Sequence, residues 1–154
     1  MKLYLVQHGN AFSKDVDPQR GLTEKGRSDV EQTAAFLEPL NLSVCNLWHS
    51  GKTRAVLTAE ILAGVIKSDS GIIEHEGLGP NDDVAKIRDE VVSRDEDIMI
   101  VGHLPFLDRL ASLLIAGSET TKVAVFQQGG VVCLESSEDN VFAVCWMVTP
   151  GIVG

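Results

Sequence analysis

The stretch Ile98-Met99-Ile100-Val101-Gly102-His103-Leu104-Pro105 decides the fold. Its apolar run reads as a buried strand, and Pro105 suits the first turn of a following helix that carries Leu107, Leu110 and Leu114. On both sides of this stretch the same alternation of short apolar runs and helical segments recurs. Leu3 to Val6 reads as a second buried strand, followed by a loop with Asp15, Asp17 and Pro18. A helix starts near its N-cap Thr23; Glu24 suits the positive end of the dipole, and Val30, Ala34 and Leu37 share a face before Pro39 ends it. Val44 to His49 reads as a strand, and Ser50 as the cap of a helix with Ala55, Ala59, Leu62 and Ile66 in one stripe. Ile72 to Glu74 is a short strand; a loop with Gly77, Gly79 and Pro80 then precedes a helix with Val84, Ile87 and Val91 inward. Val123 to Phe126, Val131 to Leu134 and Val141 to Trp146 are apolar runs without helices between them, the last two paired as a hairpin across Ser136 to Asn140. The pattern predicts an α/β fold, a three-layer α/β/α sandwich around a mainly parallel sheet of five or six strands.

A length of 154 residues suits one domain over 1–154, and 44% apolar against 23% charged residues places the chain among globular proteins. Thirteen Lys plus Arg against twenty-two Asp plus Glu give a net charge of −9. That balance opposes a broad nucleic-acid or anionic-membrane surface, so any anion is held locally. Cys45, Cys133 and Cys145 are odd in number and widely spaced, without a C-x-x-C pair or a metal-type cluster, which fits a reducing cytoplasm. The N-terminal apolar stretch is too short for a signal-peptide core, and no run approaches the roughly 18 apolar residues of a membrane helix. The expectation is a cytoplasmic protein without metal or other cofactor.

Open α/β sheets bind ligands beyond the carboxyl ends of their strands. Those positions here are Gln7-His8-Gly9, then His49-Ser50 with Arg54 beyond, and Gly102-His103; Arg20 lies in an intervening loop. A neutral histidine nitrogen attacks phosphorus readily, and arginines make charged, forked hydrogen bonds to phosphate oxygens. Gly9 lets backbone approach an anion closely, and Arg54 sits in the first turn of a helix whose free N–H groups favour one. Taken singly, each has a bland reading: a turn, a solvated helix residue, a loop charge. His49 and His75 read as structural, and Asp15 and Asp17 as solvated loop charges. The conjunction of His8, His103, Arg54 and Arg20 on one rim is what points to phosphate chemistry.

That conjunction resembles the histidine phosphatase superfamily, with the phosphoglycerate-mutase-like fold, and within it the small SixA-type phosphohistidine phosphatases. Leu3 to Ala11 is similar to the family's first strand and Arg-His-Gly signature, with Gln7 where the family has arginine. Arg20-Gly21-Leu22-Thr23 with Gly26 is similar to its Arg-Pro-Leu-Thr stretch. Ser50, Arg54-Ala55 and Thr58-Ala59 resemble its Ser-Pro-x-x-Arg-Ala-x-x-Thr-Ala segment, with Gly51 in place of proline, and Val101 to Pro105 its second histidine motif. The resemblance implies a metal-independent phosphatase in which His8 accepts the phosphoryl group, while Arg54, His103 and Arg20 bind its oxygens and Gln7 assists. It also implies that the second ring nitrogen of His8 donates to a nearby carbonyl, fixing the tautomer. Glu76 is the nearest candidate for a general acid. Glutamine brings neither charge nor fork, so Gln7 should weaken turnover by about tenfold or more rather than abolish it.

The leading expectation is a phosphatase that removes phosphate from a histidine-phosphorylated protein in signal transduction or phosphotransfer. Two alternatives stand beside it: a phosphomonoesterase for a small ester, and a non-catalytic phosphate- or phosphohistidine-binding module weakened by Gln7. A receiver-like domain is disfavoured, because the acidic pair expected after its first strand is absent from Met1 to Asn10.

Overall fold

Strand β1 (Lys2–Gln7) begins the chain yet lies inside the sheet rather than at its edge. The computed structural model describes residues 1–153. After β1 come α1 (Glu24–Leu37), a 3-10 turn at Glu38–Leu40, β2 (Ser43–Val44), β3 (Asn46–His49) and α2 (Thr53–Ala63). Next are β4 (Lys67–Ser68), β5 (Ile72–Glu74), α3 (Val84–Arg94), β6 (Ile98–Gly102) and α4 (Phe106–Ala116). The hairpin strands β7 (Val131–Ser136) and β8 (Phe142–Val148) follow, then α5 (Pro150–Val153). The main sheet has six strands in the order β5-β3-β6-β1-β7-β8. Its β5, β3, β6 and β1 are mutually parallel, and β7 and β8 add antiparallel.

Parallel strands covered on both faces need apolar residues at successive positions, which is why β1 and β6 read as unbroken runs. Alternate side chains feed two cores. Leu3, Leu5, Ile98 and Ile100 pack with Val84, Ile87 and Val91 of α3 and Leu107 and Leu110 of α4. Tyr4, Val6, Met99 and Val101 pack with Val30 and Leu37 of α1 and Ala55, Ala59 and Leu62 of α2. The three-layer sandwich follows directly from this alternation.

Three local expectations are corrected, and one apolar run left unassigned is resolved. The single strand Val44 to His49 is divided: β2 pairs with β4 in a separate two-stranded sheet, while β3 pairs with β5 and β6. Between them the Cys45 N–H turns to the Asp97 carbonyl. Val123 to Phe126 is irregular chain, although Phe126 is buried; an apolar run becomes a strand only where a sheet edge receives it, and β8 occupies the edge beside β7. Pro105 precedes α4 rather than lying in its first turn, and the Leu104–Pro105 peptide is cis. Ser50 does not cap α2, which begins at Thr53 behind Lys52. Thr23, by contrast, caps α1 by accepting the Gly26 N–H at 2.9 Å. Among the described residues no helix is long and apolar enough to cross a membrane.

Candidate active site

Because β1, β6 and β3 are adjacent and parallel, their carboxyl ends open onto one rim. Gln7 pairs with Gly102 and His49 with Val101, so the residues that follow β1 and β6 emerge side by side. The His8 N–H extends the ladder to the Gly102 carbonyl at 3.0 Å, and the His8 and His103 rings lie 5.0 Å apart. Both side chains are buried.

The His8 ring is oriented by its neighbour. Nδ1 lies 2.7 Å from the Gly9 carbonyl oxygen, which can only accept, so Nδ1 carries the hydrogen and Nε2 keeps its lone pair. Burial lowers the His8 pKa most and the Arg54 and Arg20 charges lower it further, outweighing the Gly9 hydrogen bond that raises it. Burial and the two cations thus favour the neutral ring. Gly9 is required by space: a Cβ there would lie 2.9 Å from Val30 Cγ2 and 3.0 Å from the Gly26 carbonyl. Its N–H donates to Thr58 Oγ1 at 3.0 Å, and Thr58 donates to the Arg54 carbonyl at 2.8 Å. Thr58 thereby ties the chain after β1 to the first turn of α2.

Arg20 sits at φ +54°, a left-handed conformation that costs a non-glycine residue about 1 kcal/mol or more. The turn that imposes it is built by Asp17, whose carboxylate accepts the N–H groups of Gln19 at 3.0 Å and Gly21 at 2.8 Å. Asp17 is thus a builder of the turn rather than a merely solvated charge. Arg20 Nε donates to the Phe12 carbonyl at 2.9 Å. Burial and then the Arg20 charge lower the Arg54 pKa. Neither arginine forms an ion pair among the described residues. Among the described residues, three buried side-chain atoms have no protein partner: Arg54 Nε, His103 Nδ1 and Gln7 Oε1. Buried polar atoms normally are paired, so two cations and these unpaired groups describe a place for an anion. Rotating the Gln7 amide exchanges its oxygen for an N–H pair, the donor a phosphoryl group needs.

No family model matches the chain. An uncharacterized protein of Picosynechococcus is 28% identical over 150 residues, covering 93% of this chain and 90% of its own. Among solved structures, the protein histidine phosphatase SixA complexed with tungstate superposes with a TM-score of 0.87 at 19% identity, both chains being covered in full. The chain has the phosphoglycerate-mutase-like fold. Two further relatives of this fold are the alpha-ribazole phosphatase of Shigella flexneri, at TM-score 0.74 and 15% identity, and a phosphoserine phosphatase variant of Entamoeba histolytica with phosphoserine, at 0.68 and 13%. Each of these two alignments covers 97% of both chains. The fold expected from the sequence resemblance is the one found.

Within this fold the rim holds more than the sequence disclosed. Ser50 Oγ lies 2.6 Å from His103 Nε2. Gly51 adopts φ +85°, a value closed to proline, and a Cβ there would strike the Glu74 carboxylate, so the loop after β3 runs differently from a Ser-Pro turn. His49 is structural, accepting the Gly51 N–H on Nδ1 at 3.0 Å. His75 has partners that the sequence did not show: its ring lies 4.2 Å from Trp48 and its Nε2 lies 3.0 Å from Glu90. Glu76 is exposed and lines a cleft of about 730 Å³ that also reaches Ser50. Ser50 and Thr58, read in the sequence as members of a motif, are builders of the site. The signal available is position, a hydroxyl directly after a strand and one a helical turn beyond Arg54.

Proposed function

We propose that the chain is a histidine phosphatase that transfers a phosphoryl group from a phosphohistidine protein to His8 and then to water. The observation that carries this reading is the His8 ring held by the Gly9 carbonyl with Nε2 free to attack, 5.0 Å from the His103 ring and beside the Arg54 and Arg20 charges. In the first step a bond forms between His8 Nε2 and phosphorus while the bond to the leaving nitrogen breaks. That nitrogen keeps the electron pair and takes a proton. Arg54, Arg20 and His103 bind the three equatorial oxygens, where preorganised donors lower the barrier as charge spreads. Water then attacks phospho-His8, releasing inorganic phosphate and restoring the neutral ring. An imidazole leaving group is far less basic than an alkoxide, so the step needs no strongly placed acid. The tungstate held by a protein of the same fold supports an oxyanion at this rim.

Glu76 favours a second reading. Its place on the cleft that reaches Ser50 suits protonation of an alkoxide, as a phosphomonoesterase for a small ester requires. Phosphate release from a phosphohistidine protein and from a panel of small esters, with His8→Ala as control, separates the two. Labelled phosphate trapped on His8 without acid is expected for either enzyme. Its absence, with no release above the His8→Ala control, leaves only a binding module. Gln7→Arg should raise the rate about tenfold, because it restores a charged, forked donor.

A further inference from the structure

We propose that the cleft from Ser50 to Asp82 receives the leaving group, and that its occupant is a protein segment carrying lysine or arginine beside the phosphorylated side chain. This rests on the phosphoryl-transfer reading above. The cleft joins the site through Ser50, whose Oγ lies 2.6 Å from His103 Nε2, and the buried Nδ1 of that same ring has no protein partner. Its volume of about 730 Å³ exceeds what a phosphorylated side chain alone fills. Its ionisable side chains are Lys52, Glu74, His75, Glu76 and Asp82, with His75 turned to Glu90. Lys52 belongs to the end of the cleft beside Ser50, whose Oγ accepts its backbone N–H at 3.4 Å. A leaving group that extends past it meets carboxylates.

The wall carrying those carboxylates is preformed. His75 Nδ1 holds the Glu76 carbonyl at 2.5 Å, Nε2 holds Glu90 at 3.0 Å, and the ring packs on Trp48. Asp82 accepts the Gly79 N–H at 2.7 Å, which closes the loop between Glu76 and α3. At about 730 Å³ the cleft has room for more than a small cationic ester, and the loop that carries Arg20 adds two exposed apolar side chains, Phe12 at 37% and Val16 at 70%. Apolar and acidic rims around one phosphate centre fit a basic protein face, and opposite charge supplies its orientation.

Binding tests this independently of turnover. Two peptides bearing a non-hydrolysable phosphohistidine mimic, one flanked by Lys and Arg and the other by Glu, are titrated against the full chain by fluorescence anisotropy at low salt. The basic peptide should bind about tenfold or more tighter, and the ratio should fall below about threefold in Glu76→Gln/Asp82→Asn. The amide introduced by Asp82→Asn retains an acceptor for the Gly79 N–H, and Glu76 is exposed, so the variant keeps its fold; its circular dichroism melt checks this. Equal affinity of the two peptides, or a ratio unchanged in the variant, overturns the proposal. So does phosphocholine binding as tightly as the basic peptide. Failure to trap phosphate on His8 removes the transfer chemistry alone, and the peptide ratio still decides the cleft.

Discussion

His103 shows how a single side chain links the site to pH. Burial first, then the charges of His8, Arg54 and nearby cations, push its pKa from 6.5 down to about 3. The folded protein thus holds the ring neutral over a range in which the unfolded chain protonates it. The unfolded state binds the extra proton there, so stability rises with pH through the window and is lost as pH falls from about 6.5 towards 3, by about 1 kcal/mol per pH unit. His8 is shifted in the same direction and adds to the slope. Melting temperature should fall measurably between about pH 7 and about pH 5, and His103→Gln should flatten that dependence. An unchanged slope in the variant would mean that the ring already carries its proton when folded.

At the scale of elements, α1 and the end of β1 are fitted without slack. Gly26 lies one turn into α1, and a Cβ there would stand 2.0 Å from the Asn10 carbonyl oxygen. Alanine gains about 1 kcal/mol over glycine in a helix, but a clash with backbone that cannot rotate away costs about 1–3 kcal/mol or more. The second effect wins: Gly26→Ala should lower the urea midpoint and, by displacing Asn10 and Gly9, reduce phosphate release more than stability alone explains. Some elements are legible in sequence because their causes are local. Buried parallel strands demand apolar runs, Thr23 supplies its own cap, and the histidines stand immediately after their strands. Ser50 is harder to read because the same hydroxyl serves a helix cap or a histidine, and the partner that decides lies 53 positions away. Val123 to Phe126 stays undecided in sequence because forming a strand needs a free edge, which only the assembled sheet reveals.

For the whole molecule, −9 and a small cationic rim act at different ranges. Charges farther apart than about 10 Å are screened at about 0.1 M salt, whereas contacts inside the rim are partly buried and persist. For a small dianionic ester, kcat/KM should therefore rise between about 10 and about 100 mM salt as long-range repulsion is screened. An opposite trend would show that the rim, not the body, governs encounter. The position of β1 carries a consequence of another kind. It is the first strand of the chain, yet its neighbours are β6 and β7, with Leu3 beside Ile98 and Leu134. A ribosome adding about 5–20 residues per second exposes the His8 segment for several seconds before any partner strand exists. Strand β1 is born early and seated late, so nascent chains that stall before Ile98 lack both of its neighbours and are substrates for chaperones or proteases rather than small folded domains.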